Sequence, residues 1–242
     1  MKPIEFIDLG RVSYKTAWDI QQAIQAKIIE EKLEERRSGS SIQRSPDVLL
    51  FVEHPHVFTL GKSGKMDHLL ADEQRLAFLG AEFFRNDRGG DITYHGPGQI
   101  VGYPIMDLDR HFTDIHRYLR TLEEVAIRTC ADFGIEAGRI DGLTGVWIKD
   151  AKICAFGVKC SRWVTMHGFA FNVDPKLDYF DAIVPCGIPD HSVTSLAKIL
   201  GYDPGIEEVK TRLRSHFADL FQVDIQSVSS IPEPIQAILD FK

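Results

Sequence analysis

Residues 86–104 read NDRGGDITYHGPGQIVGYP, five glycines and two prolines gathered around His95. Glycine reaches positive φ without strain and lets another backbone or a ligand approach closely. Such a loop can cradle a phosphate on its amide N–H groups. The stretch has no G-K-[ST] after it, as a P-loop requires, and no G-x-G-x-x-G opening a helix. QIVGYPIMDL follows and reads as a strand, which leaves no helix N-terminus to receive a pyrophosphate. Nucleotide-binding folds of those two kinds are therefore disfavoured. Two readings stay open: a tight hairpin turned by Gly96, Pro97 and Gly98, or a backbone wall laid against a ligand. Arg88 ahead of the glycines and His95 among them tilt toward the second.

The surrounding chain alternates helical and strand-like periods. Ala17, Ile20, Ile24 and Ile28 recur three or four apart and predict a first helix, ending in the charged run EEKLEERR. That run, residues 30–37, reads as a solvated helix end rather than a partner-binding face. Ile115, Leu119, Leu122, Ala126, Cys130 and Phe133 predict a second helix, stopped by Gly134. Val209, Leu213, Phe217 and Leu220 predict a third. DVLLFVEH, AEFFRND, QIVGYPIMDL, GVWIKD, KICAFGVKC and GFAFNV read as strands, several apolar throughout and so covered on both faces. SGSSIQRSP reads as a surface loop. No repeat or linker divides residues 1–242, so the expectation is one α+β domain with a mixed central sheet packed by helices.

A formal charge of −7 and a pI near 5.7 argue against a general nucleic-acid binder. No apolar run reaches transmembrane length and no secretory or transit segment is legible, so a soluble cytoplasmic protein is expected, without a membrane partner. Cys130, Cys154, Cys160 and Cys186 show no C-x-x-C spacing and read as reduced thiols. The first three lie in apolar patterns and read as small buried residues. Cys186, between Pro185 and Gly187 and before a short helix, alone has an exposed loop setting. A thiol needs a nearby cation or base to become a nucleophile. Lys152, Lys159, His95, His167 and His191 are all candidates, and spacing does not choose among them. His54 and His56 alternate without further ligands, Cys154 and Cys160 lack zinc spacing, and no G-x-S-x-G elbow is present, so neither a metal site nor a serine hydrolase is expected.

Four segments in order, RGGDITYHGPGQIVGYPI, KICAFGVKCSRWVTMHGFAFNV, IVPCGI and VTSL, resemble one family, the lipoyl (octanoyl) transferases. The resemblance spans about residues 50–200. It implies the fold of biotin and lipoate protein ligases, an α/β sandwich with a large mixed sheet. Cys186 matches the family's acyl-accepting cysteine and Lys152 the lysine paired with it. Arg88, Gly89, Gly90, Asp91, Ile92, Thr93, Tyr94 and His95 match the glycine-rich wall of the substrate pocket, with His95 expected at its mouth. Ala155, Phe156 and Gly157, then Gly168, Phe169 and Ala170, match two further lining segments, and His167 an accessory histidine. Cys154, Phe156 and Cys160 depart from the family's usual small, aliphatic or basic residues, which bears on chain-length preference.

The resemblance also implies the reaction. An octanoyl group leaves octanoyl-acyl carrier protein for a thioester on Cys186, and a lipoyl-domain lysine then takes it. The implied acceptors are lipoyl domains of 2-oxoacid dehydrogenases and the glycine cleavage H protein. Because the donor arrives activated, no ATP, cofactor or metal is implied. Lys62, Lys65 and Arg162 are candidates for meeting an acidic carrier. The rival activities are an ATP-dependent lipoate ligase of the same fold, a cysteine hydrolase pairing Cys186 with His95 or His167, and a carrier that has lost catalysis.

Overall fold

The computed structural model describes residues 1–184, 192–228, 232 and 235–240. In chain order these form β1 (Lys2–Arg11), α1 (Tyr14–Ser38), β2 (Asp47–Glu53), β3 (Val57–Leu60), α2 (Glu73–Leu79), β4 (Glu82–Arg85), β5 (Ile92–His95) and β6 (Gln99–Ile105). There follow α3 (Ile115–Asp132), β7 (Val146–Ile148), β8 (Ala151–Ser161), β9 (Val164–Asn172), β10 (Ser192–Val193), α4 (Leu196–Leu200), α5 (Ile206–Phe221), β11 (Val223–Ser227) and α6 (Ile235–Asp240). A large mixed sheet runs β10-β8-β9-β6-β2-β1-β11 with β7 on β8, and a small one runs β4-β3-β5. One face of the large sheet packs on α3 and α5, the other on α1 and α6. This covering explains why β2, β6 and β9 are buried along almost their whole length.

α1 follows its sequence pattern. Ser13 caps it by accepting from Thr16 N, and Gly39 ends it in the left-handed region. Its buried stripe carries Ile20, Ile24 and Ile28, each side chain contributing about 1.5–3 kcal/mol by leaving water. Between them Gln21 accepts from His167 N at 2.9 Å, and Gln25 donates to Val164 O at 2.9 Å. Lys32, at the stripe's end, donates to Arg162 O at 2.8 Å in the β8–β9 turn. The helix thus gives hydrogen-bond partners to His167 N and Val164 O of β9 and to Arg162 O in the turn before it. α3 buries Leu122, Ala126 and Cys130 as expected, while Ile115, Leu119 and Phe133 are only partly buried; Tyr118, Val125 and Glu123, which the stripe did not include, share the buried face.

The six expected strands are present, and β1, β3, β5, β10 and β11 join them. The turn at residues 96–98 is real, with Gln99 N donating to Gly96 O at 3.2 Å. It does not make a hairpin: β5 pairs with β3, whereas β6 pairs with β2 and β9. The glycine-rich stretch therefore carries the chain from the small sheet into the large one. Cys160 is also a departure, because it lies exposed on β8, while Cys130 and Cys154 are buried as expected. All three are free thiols. No described helix is long and apolar enough to cross a membrane.

Gly98 makes this crossing possible. Its φ is +85°, and a Cβ there would stand 2.2 Å from the Asp174 carbonyl oxygen. That same backbone contact is stitched by Val173 N and Asp174 N, which donate to Gly98 O at 3.1 and 2.9 Å. Gly98→Ala is expected to lower unfolding free energy by about 2 kcal/mol or more, through strain and displacement together. Urea unfolding measures it, and a loss under about 0.5 kcal/mol would contradict the packing described.

Candidate active site

A cavity of about 550 Å³ opens where the glycine-rich stretch crosses the middle of β8 and β9. Gly157 and Gly168 face each other in register there. A Cβ on Gly157 would meet Gly89 O at 2.9 Å, and one on Gly168 would meet Gly102 O at 2.2 Å. The missing side chains let the loop and β6 close against the hairpin. Gly89 N then donates to Val158 O at 2.9 Å, fastening the loop to β8. Arg88 spans the loop from within, its Nη2 donating to Thr59 O and Asp91 O at 2.7 Å each.

Arg88, Gly90, Asp91, Ile92, Thr93, His95, Lys152, Ala155, Phe156, Gly157, His167, Gly168, Phe169 and Ala170 all line this cavity. Gly89 acts through its backbone instead, and Tyr94 turns away. Alternation along β5 places the Tyr94 hydroxyl against His56 Nδ1 at 2.7 Å, with its ring stacked on Tyr179. The wall also includes Tyr14, Val101, Tyr103, Leu143, Thr144 and Trp147, which sequence reasoning missed. Tyr14 belongs to the α1 stripe, and no periodicity separates a core tyrosine from a lining one. Of the candidate surface cations, Lys65 lies on the cavity and Lys62 is exposed nearby in sequence. Arg162 sits in the turn at the far end of β8 from Lys152.

Lys152 is 9% exposed and sets its ammonium 4.5 Å from the centre of the Trp147 ring. Its carbonyl accepts from Thr194 N at 2.9 Å, and β10 pairs in parallel with Ala151 and Lys152. Cys186 and His191 lie outside the described residues. The chain on either side is placed: Val184 N donates to His68 O at 2.8 Å, and Ser192 resumes beside Ala151. His68 in turn holds Asp91 of the glycine-rich stretch, Nδ1 to Oδ2, at 2.5 Å.

His95 is not at the mouth but within the wall, 6% exposed. Gln99 donates from Nε2 to Asn172 Oδ1 at 2.9 Å, so its oxygen accepts from His95 Nδ1 at 2.7 Å. Asn172 continues the chain, donating to Thr194 O at 2.9 Å. Burial first, then neighbouring His54, lowers the His95 pKa to about 3. His54 is lowered to about 4, also by burial, against a hydrogen bond to Val12 O. His167 is lowered by burial while Asp87, bonded to its Nε2 at 2.8 Å, opposes. Its φ of +61° is uncommon for a side chain that is not glycine. Asp87 is held well below the usual carboxylate range, by the His167 hydrogen bond first and by Lys159 as well, against burial. Three neutral imidazoles therefore stand in or behind this wall at neutral pH.

The family model of the lipoyl protein ligase A/B catalytic domain matches residues 13–218. The chain is 55% identical to an octanoyltransferase of Cytophaga hutchinsonii over 92% of its own length and 94% of that protein. It is 47% identical to an octanoyltransferase of Solibacter usitatus, over 92% and 95%. Among solved structures it is similar to lipoate-protein ligase A bound with ATP, at a TM-score of 0.71 and 16% identity, covering 99% of this chain and 92% of that one. The bipartite lipoate protein ligase of Thermoplasma acidophilum superposes at 0.70 and 17%, covering 99% and 90%. At those identities the likeness speaks to the fold alone.

The buried histidines give stability a pH signature. An unfolded histidine binds its proton near pH 6.5, whereas His54 and His95 resist protonation down to about 4 and 3. Their contribution is complete above pH 6.5 and declines as pH falls toward the folded values. Asp87 works at more acid pH, below about 4. Between pH 7 and pH 5, one such histidine shifts unfolding free energy by about 2 kcal/mol. Urea unfolding of His95→Gln is expected to show a smaller loss over that range than the unsubstituted protein. Equal losses in both would refute a neutral, buried His95.

Proposed function

This chain belongs to the lipoyl protein ligase A/B catalytic family, and from that premise we propose a two-step acyl relay on Cys186 with Lys152 as its base. The protein is an acyltransferase, acting as an octanoyltransferase of lipoate formation. In the proposed relay the donor is octanoyl-acyl carrier protein and the acceptor a lysine of a lipoyl domain. The supporting observation is a buried lysine on a cavity whose wall includes Gly90, Ala155, Gly157, Gly168 and Ala170, beside β10, where the described chain resumes after the segment that holds Cys186.

The Cys186 thiol gives its proton to the Lys152 amine, or the Lys152 ammonium stabilises the thiolate directly. The thiolate attacks the thioester carbonyl, the carrier's sulfur leaves with a proton, and octanoyl-Cys186 remains. The acceptor amine then attacks this thioester, Lys152 takes the amine proton, and an amide forms as the Cys186 sulfur departs. The first exchange is nearly balanced and the second runs downhill. Amide groups of residues 186–187 or of the glycine-rich loop are candidates for stabilising the tetrahedral oxyanion.

Acyl-chain binding suits the cavity. Each methylene removed from water contributes about 0.8 kcal/mol, so the chain supplies both affinity and a length gauge. Ala155, Ala170, Val101 and Phe169 offer apolar surface along the walls. Phe156 lines the cavity and lies with its ring centre 6.2 Å from that of Phe169, so it sets the width of one side.

Incubation with octanoyl-acyl carrier protein, followed by intact-mass measurement, is expected to show a thioester-labile octanoyl adduct that disappears in Cys186→Ala. An acceptor domain octanoylated with no adduct at Cys186 would sink the relay. Strict dependence on ATP would favour the ligase, and rapid release of free octanoate the hydrolase.

Lys152→Ala is expected to slow both half-reactions by about 100-fold or more, the scale of a lost general base. Lys159→Ala, which cuts a part-exposed pair with Asp87 at 2.6 Å, is expected to stay within about threefold. Similar near-native rates in both variants would reject Lys152 as the base.

A further inference from the structure

We infer that Glu123 is a positioning residue for Lys152 and for the cavity wall beside it, an inference that rests on Lys152 being the base of acyl transfer. Glu123 lies on the buried face of α3, 0% exposed. A carboxylate is stable there only when its oxygens are fully partnered. Oε2 accepts from Arg120 Nη1 at 2.7 Å and from Arg139 Nε at 2.9 Å. Oε1 accepts from Gly145 N at 3.0 Å. Arg139 is held in turn by Arg120 O at 2.9 Å and Glu124 Oε2 at 3.0 Å.

The two arginines would suffice to neutralise the carboxylate. Its third bond does something further, because Arg139 and Gly145 bracket a segment of cavity wall. Between them Gly142, Leu143 and Thr144 line the cavity. One buried side chain therefore pins both ends of that segment. Gly145 is also the backbone on which the lysine packs: its φ is +147°, and a Cβ there would stand 3.0 Å from Lys152 Cε. Trp147, two residues on, carries the ammonium. A shift at Gly145 is transmitted to Lys152 without any contact between Glu123 and substrate.

Glu123→Ala strips the acceptor from Gly145 N and from both guanidinium groups. Glu123→Gln keeps a carbonyl oxygen for Gly145 and the shape of the site. The two variants thus separate loss of the anchor from loss of charge. Full-length proteins are treated, below their unfolding transitions, with an amine-selective acetylating reagent. Labelling of Lys152 is read by peptide mass spectrometry against exposed Lys62 in the same molecule. In Glu123→Ala the Lys152:Lys62 ratio is expected to rise several-fold, and kcat for acyl transfer to fall about tenfold or more with KM little changed. Glu123→Gln should recover most of both. If Glu123→Ala does not fold, Arg139→Ala releases one end of the segment and should move both readouts in the same directions. A folded Glu123→Ala protein with the native labelling ratio and native kcat overturns the inference, as does an equal kcat loss in both Glu123 variants without a labelling change. A fully active Lys152→Ala protein would instead sink the base assignment, while the labelling ratio still decides whether Glu123 holds the lysine.

Discussion

Gly157 and Gly168 stand opposite one another on β8 and β9, and neighbouring backbone occupies the space their side chains would have filled. Because neither carries a Cβ, Gly89 O and Gly102 O come within van der Waals reach of the hairpin backbone. The loop of residues 88–91 then hydrogen-bonds to β8, and Arg88 ties the same loop to Thr59 on β3. The two sheets are joined at this point, with the cavity left between them. A methyl group at either glycine would push against backbone, which has no rotamer by which to yield.

The polar groups around that cavity are arranged so that few charges are buried without partners. Gln21 and Gln25 reach from α1 to backbone of β9, and Gln99 and Asn172 carry a hydrogen-bonded chain from His95 to Thr194, just after β10. The histidines are kept neutral by burial, and Asp87 satisfies His167 from the loop side. Lys152 lies at the other end of this chain, against an indole ring and with its backbone bonded to Thr194. The apolar side chains of the lining, Val101, Ala155, Phe156, Phe169 and Ala170, offer an acyl chain its surface, while Lys65, Arg88 and Lys152 bring cations to the same cavity.

Much of this was legible in the order of residues, but unevenly. The apolar runs of β2, β6 and β9 announced buried strands, and the α1 stripe announced its helix, because both signals are periodic and local. The turn at residues 96–98 was equally legible; the partners of the strands beside it were not. Nothing in ITYH or QIVGYPI says that one joins the small sheet and the other the large. β3 and β10 are too short to show a period, and β1 and β11 lie toward the open edge of the sheet with mixed burial. Cys160 shows the converse error: an apolar neighbourhood in sequence is not burial, since β8 is only partly buried from Ala155 onward and Cys160 is exposed.

The candidate site followed the same division. Its glycines, His95, His167 and Lys152 stood out through a family pattern, and most of them meet on one cavity. Glu123 and Trp147 did not stand out. A glutamate inside a helical stripe reads as a break in the stripe, and a tryptophan five residues before a lysine reads as core. Their meaning depends on Arg139, Gly145 and the β7–β8 pairing, which only the fold brings together.

We propose that the cavity between the glycine-rich loop and β8–β9 holds the transferred acyl chain. Nuclear Overhauser spectroscopy on protein carrying a ¹³C-labelled octanoyl group tests it directly. Cross-peaks are expected from the chain methylenes to the methyl groups of Ala155 and Ala170 and to the Phe169 ring. A chain that shows none of these contacts and broadens with a dissolved paramagnetic agent would contradict it.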